Sequence, residues 1–424
     1  MQSVLPLLKN NFIQSKKVRL VFITIFLLSA CIQNIVLFEI GASFKLVHLV
    51  GILLFPVTLL LKPARSIGKC WWLAVGTFTV YTVLAYLRFG FNSWLLNGTF
   101  CVYTVWCVWK LSEDFGKQDW LTIFRITAVV MILLVFANMC LQFEAIWRFM
   151  QDPGSYHPVY ETVFGGGPNL DASWIGLFCF AMVGTVWWRP YFASSVVISL
   201  LTGSRAGFLA NGAFAVWLFV HWFIRIWREK SIFTASNRHD RVMSLLSIIL
   251  SICIFGVYVA AQGGARHELH PEEQIATPDL FDNLTDRMTS IGDEPGSQGR
   301  LNMWQYIPAA VSQNPLGYGL GNGIEIIRSY DADTISEGNI HNIYFQALLD
   351  YGIAGLVVLL IAVALFIKKE LPTLAAWPIS AFILCYLCLG LIQYRMLEVP
   401  AWIAVTAYVS ANRVERAKEA RAKT

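Results

Sequence analysis

The sequence predicts an all-α polytopic membrane protein of about twelve transmembrane helices, with a small and mostly helical cap on one side. Three observations predict it. Apolar runs of roughly 17–22 residues, long enough to cross a bilayer, recur along the chain. The residues are 56% hydrophobic and 14% charged, whereas a soluble domain carries about a quarter charged residues. One long hydrophilic stretch, 262–345, stands alone among these runs.

In chain order the spans are expected at 18–38, 46–61, 70–87, 92–109, 120–141, 170–188, 190–202, 206–224, 242–261, 351–367, 373–392 and 396–411. The seventh is too short to cross upright and is expected as a half-span or a tilted helix. Residues 1–261 thus carry nine spans, 262–350 the large loop, 351–411 the last three spans and 412–424 a basic tail. The first apolar run lacks a small-residue cleavage site, so no cleaved leader is expected.

Loop charge sets the orientation. With the N-terminus inside, most of the 32 basic residues fall on the inner side, among them Lys16, Lys17, Arg19, Lys62, Arg65 and Lys69. The outer side holds nine: Lys45, Arg88, Arg148, Arg205, Arg266, Arg287, Arg300, Arg328 and Arg395. The positive-inside bias puts both termini in the cytoplasm and the hydrophilic stretch outside. Basic residues scattered between spans do not suit nucleic acid. The tail "RVERAKEARAKT" reads as a frayed basic helix able to touch anionic lipid head groups.

Cysteines such as Cys101, Cys107, Cys140, Cys179 and Cys253 lie inside apolar runs, which argues against a disulfide framework. Cys385 and Cys388 form a C-x-x-C inside a span, where two small packed side chains explain them. No G-x-x-x-x-G-K-[ST], H-E-x-x-H or G-x-S-x-G occurs. "HELHPEE" groups His267, His270, Glu272 and Glu273 but lacks a third well-spaced ligand, and a solvated loop accounts for it. "NPLGYGLGNG" has to be loop; its "GLGNG" is only loosely like a phosphate cradle and suits a tight turn against the membrane surface. "RLNMWQYIPAAVSQ" is expected as a helix with Leu301, Trp304 and Ile307 on one face.

The outer-side charges supply the candidates. Arg205, with Thr202 and Ser204, sits in "TGSRAGF" at the start of the eighth span. A helix N-terminus offers free N–H groups and the positive end of the dipole, and arginine adds a two-pronged donor for phosphate. A turn arginine snorkelling to head groups fits that position as well. Arg300 opens the helix in the hydrophilic stretch, where an ordinary surface arginine is the bland reading. His341, in "GNIHNIYFQ", is the side-chain type suited to proton exchange near neutral pH, although a lone histidine is more often structural. Asp171 opens the sixth span as an accessory carboxylate or a helix cap, and Glu161 lies in the same loop.

Taken together and in order, "TGSRAGF", "GRLNMW", "NPLGYGLGNG" and "HNIYFQALLDYGIAGL" resemble the bacterial O-antigen ligase/polymerase superfamily, over roughly residues 165–395. The resemblance implies a GT-C-like helical glycosyltransferase of the inner membrane, working on the periplasmic face without nucleotide sugar, metal or other cofactor. Its donor would be a glycan on undecaprenyl diphosphate. Its acceptor would be lipid A–core for a ligase or the next lipid-linked repeat unit for a polymerase, as in surface polysaccharide synthesis. Arg205 and Arg300 match the family's diphosphate-binding arginines, and His341 matches the histidine that activates the acceptor hydroxyl. Arg395 takes the place of a further basic residue, by a looser match. The "PNLDASWIGLF" segment is similar to polymerases, while nothing in the hydrophilic stretch decides between the two. A flippase for lipid-linked oligosaccharide is the alternative of another class, and it would be expected to carry charged or broken helices at mid-membrane in both halves.

Overall fold

The computed structural model describes residues 13–39, 43–61, 69–92, 94–151, 160–229, 295–331, 335, 338–370, 377–393 and 397–422. The chain divides into two compact units, the first made of 1–131, 299–373 and 382–424 and the second of 132–298 and 374–381.

The first unit opens with α1 (Lys16–Cys31), followed by an antiparallel hairpin of β1 (Val36–Glu39) and β2 (Ser43–Lys45). Then come α2 (Leu46–Leu60), α3 (Lys69–Phe89), α4 (Trp94–Leu111) and the first part of α5 (Lys117–Leu141). The hairpin corrects two expectations, the all-α class in this detail and a first span reaching residue 38. The helix stops at Cys31, Gln33 Nε2 donates to Glu398 at 3.2 Å, and Val36–Phe38 continue as strand. An apolar run that outlasts its helix looks like a longer span to any hydropathy count.

The same unit holds α10 (Pro295–Trp304) from residue 299 on, α11 (Ile307–Gln313), α12 (Asn322–Tyr330), α13 (Ile343–Glu370), the end of α14 (Pro378–Leu389) and α15 (Val399–Ala422). Among the described residues, Trp72–Phe89, Lys117–Leu141 and Ile343–Glu370 are long and apolar enough to cross a membrane, and α2 and α14 are shorter apolar helices. The expected span at 242–261 lies outside the described residues. The basic tail continues α15 as unbroken helix to Ala422.

α15 packs along α4, where Ser410 Oγ donates to Ser112 O at 3.0 Å. Arg19 of α1 donates to Leu111 O at 3.0 Å and pairs with Asp114 at 2.9 Å. A cation there meets the negative end of the α4 dipole and satisfies a carbonyl the helix leaves open.

Described residues between 303 and 340 build a small apolar core with the start of α13. Met303, Ile307, Ala310, Tyr318, Ile324, Ile327, Ile340 and Leu349 are all buried in it. The single helix expected over 300–313 is two, broken at Gln305–Tyr306. The break shifts the period, so Met303 faces the core while Leu301 stays half exposed.

The glycine-rich loop after α11 clasps a break in α13. Gly352 has φ 68° and ψ −167° inside that helix, a backbone region open essentially to glycine alone. Tyr318 N–H donates to Leu349 O at 2.8 Å, Gly319 N–H to Asp350 O at 2.9 Å, and Ile353 N–H to Pro315 O at 3.0 Å. The two segments lie so close that a Cβ on Gly352 would stand 2.2 Å from Pro315 O. The loop is therefore a strut for the membrane helix, and its N–H groups at Gly317, Tyr318, Gly319 and Asn322 are taken by backbone carbonyls. That removes the phosphate-cradle reading.

The second unit holds the rest of α5, α6 (Phe143–Gln151), α7 (Pro168–Met182), α8 (Trp188–Leu201) and α9 (Arg205–Glu229). Small residues let α7, α8 and α9 touch. A Cβ on Gly176 would lie 2.7 Å from Ala210 Cβ, and one on Gly207 would lie 2.5 Å from Ser199 Oγ. Between these helices Asn211 accepts from Ser195 Oγ at 2.8 Å and donates to Ser199 Oγ at 3.0 Å. Small-residue contacts and interhelical hydrogen bonds are what hold helices together where no hydrophobic effect operates.

Gly352→Ala should destabilise the purified protein, since the backbone alone costs about 1–3 kcal/mol there before the clash with Pro315 O. Gly338→Ala, whose Cβ would meet nothing within 4 Å, should melt like the wild type. Thermal melting of both variants in detergent checks the pair.

Candidate functional site

In the second unit, "LLTGSRAG" folds as a tight helix-to-helix turn. α8 closes with Gly203 at φ 56°, the left-handed residue that commonly ends a helix. Ser204 N–H donates to Ser199 O at 3.0 Å, and Thr202 Oγ1 donates to Ile198 O at 2.8 Å. Ser204 then caps α9, its Oγ accepting from Gly207 N–H at 3.0 Å. Arg205 is the first residue of α9 and is partly exposed. The turn fixes where the guanidinium starts, at the positive end of a helix 25 residues long.

Ser204 and Asp171 are both fully buried. Asp171 lies in the first turn of α7 and reaches back to the loop before it. Its Oδ1 accepts from Phe164 N–H at 2.8 Å and its Oδ2 from Val163 N–H at 3.2 Å. Three glycines, 165–167, take positive φ and let the loop fold onto the helix start. In the structure the Asp171 carboxylate holds a loop and the Ser204 hydroxyl caps a helix, and neither reaches the surface. Tyr160, in the same loop, is pushed well above its ordinary range by burial and then by the Asp171 charge.

In the first unit, Arg300 and the two residues that follow His341, Asn342 and Ile343, bond to one place, the end of α14. That helix unwinds into a turn, Leu391 N–H bonding to Cys388 O at 3.1 Å and Ile392 N–H to Leu389 O at 3.0 Å. The carbonyls of the turn itself, at 390–392, lie past the helix and take donors from other segments. Each is met by a different donor: Gly390 O takes Ile343 N–H at 2.8 Å, Leu391 O takes Asn342 Nδ2 at 2.8 Å, and Ile392 O takes Arg300 Nη1 at 2.9 Å.

His341 is the one non-glycine with positive φ, 54°, among the described residues. Its N–H donates to Asn339 Oδ1 at 2.7 Å. Asn342 Oδ1 caps α13, accepting from Tyr344 N–H at 2.9 Å and Phe345 N–H at 3.0 Å. Trp304 Nε1, one turn after Arg300, donates to Ile340 O at 2.9 Å. Asn339 and Asn342 were not singled out by the sequence reading. The signal for Asn342 was present, since asparagine directly before an apolar helix is a cap residue.

Between α13, α14 and α15 lies an apolar cavity of about 370 Å³. Ile343, Leu387, Leu359, Phe366, Trp402 and Tyr408 are among its walls. Ile343 places one end two residues from His341, while Phe366 and Tyr408 lie toward the other end of α13. Arg395 and the "HELHPEE" cluster lie outside the described residues. Arg205 belongs to the second unit, Arg300 and His341 to the first.

Asp171→Asn turns one acceptor into a donor facing a buried N–H, so it should cost about 1–3 kcal/mol. Ser204→Ala should cost about 1 kcal/mol through the lost cap. Melting of each purified variant reads the loss.

Residues 190–361 match the family model described as O-Antigen ligase, and Arg205, Arg300 and His341 all fall within the match. A search of the curated proteins returned no match.

Proposed function

We propose, from the premise that residues 190–361 are a segment of O-antigen ligase type supporting membership of the O-antigen ligase/polymerase superfamily, that this membrane protein is a glycosyltransferase using a lipid-linked donor. It takes a glycan from undecaprenyl diphosphate and passes it to a sugar hydroxyl at the periplasmic face of the inner membrane, with both of its own termini in the cytoplasm. The observation that carries the reading is that one turn, 390–392, binds both the Arg300 guanidinium and the residues that follow His341, Asn342 and Ile343.

In this reading Arg205 and Arg300 bind the donor's diphosphate and His341 acts on the acceptor. The leaving diphosphate gains negative charge as the glycosidic bond breaks. Cations fixed beside it stabilise the transition state more than the ground state. Arginine suits the task because its fork matches two phosphate oxygens at once. His341 takes the proton of the acceptor hydroxyl as the oxygen attacks the anomeric carbon, a contribution of about 10²–10⁴-fold. Direct displacement inverts the anomeric configuration. The apolar cavity that begins at Ile343 suits the donor's hydrocarbon chain, and its volume falls within the usual range of ligand sites. Arg395 is placed as a further contact to the diphosphate.

The acceptor is lipid A–core if the protein is a ligase and the next lipid-linked repeat unit if it is a polymerase. Reconstitution of the purified protein with an undecaprenyl-diphosphate glycan separates them. Laddering with donor alone marks a polymerase, and modified lipid A–core marks a ligase. Lipid movement without transfer marks a flippase and overturns the proposal. His341→Ala should lower transfer by about 10²–10⁴-fold with protein levels unchanged. Arg300→Lys should weaken it through loss of the two-pronged contact.

A further inference from the structure

The left-handed backbone at His341 needs something to hold it. A non-glycine residue in that region is uncommon and persists where its surroundings over-determine it. Two asparagines flank it and both are buried. Asn339 Oδ1 accepts the N–H of His341 itself. Asn342 does more. Its Oδ1 caps the helix that follows, and its Nδ2 reaches 49 positions along the chain to Leu391 O at 2.8 Å. The next carbonyl of that turn, Ile392 O, anchors Arg300. One amide thus ties the histidine loop to the helix end from which the arginine is measured.

We infer that Asn342 is a positioning residue, setting the distance between His341 and the turn to which Arg300 bonds; the inference rests on the glycosyl-transfer reading above. Its two functions separate chemically. The cap needs an oxygen acceptor, and the tether needs an N–H donor long enough to reach Leu391 O. N342D keeps an acceptor for Tyr344 and Phe345 N–H but has no donor for the carbonyl. N342S keeps a cap-forming oxygen and is too short for the tether.

The test uses full-length wild type, N342D and N342S, reconstituted with an undecaprenyl-diphosphate glycan, with kcat, donor KM and melting temperature read for each. Loss of the tether should lower kcat by about 10²-fold, the size of effect that a misplacement on the order of 1 Å produces. Donor KM should hold, because the diphosphate contacts remain, and the folded variants should melt only modestly below the wild type, because Leu391 O loses its donor while the cap remains. Wild-type kcat in either folded variant overturns the inference. So does a loss confined to KM, and so does failure of both variants to fold, which assigns Asn342 to stability alone. Absence of transfer by the wild type overturns the glycosyl-transfer reading instead, and the inference falls with it.

Discussion

A helix that ends inside a membrane protein leaves carbonyls that must find donors, and the end of α14 finds three from elsewhere in the chain. Ile343 N–H, the Asn342 amide and the Arg300 guanidinium each take one of the consecutive carbonyls at 390, 391 and 392. Unmet, each would carry a desolvation cost of about 1–3 kcal/mol. Satisfying them fixes the start of α13, the loop bearing His341 and the side chain of Arg300 in one frame. The negative end of the α14 dipole favours the arginine at that position.

A second constraint works lower on α13. Its break at Gly352 is filled by the 314–321 loop, whose backbone bonds to residues 349–353 as one extended segment does to another. Asp350 is buried there and accepts Gly323 N–H at 3.3 Å, joining the break to α12. The site-bearing end of α13 is therefore held from two directions, by the α14 carbonyls above the break and by the glycine loop at it. The second unit is held by other means, through glycines and a buried Asn211 network between α7, α8 and α9.

Much of this was legible in the residues. Apolar run length gave the helical membrane class and the positions of most described helices. "TGSR" reads directly as a glycine stop, a serine cap and an arginine at the first helical position, and the structure forms that turn. What sequence could not give were contacts between distant segments. Nothing local says that Asn342 meets Leu391, or that Asp171 turns back to the 163–164 backbone. The β1–β2 hairpin was hidden because Val36–Phe38 are as apolar as a helix. The break at 305–306 moved Leu301 off the core face for the same reason: periodicity assumes an unbroken helix.

The most direct measurement is a structure of the full-length protein with an undecaprenyl-diphosphate glycan bound. Diphosphate oxygens are expected within about 3 Å of Arg300, with the His341 ring facing the acceptor side of the anomeric carbon and the hydrocarbon chain entering beside Ile343. A diphosphate held away from Arg300, or a His341 ring turned away from the anomeric carbon, would contradict the proposed transfer.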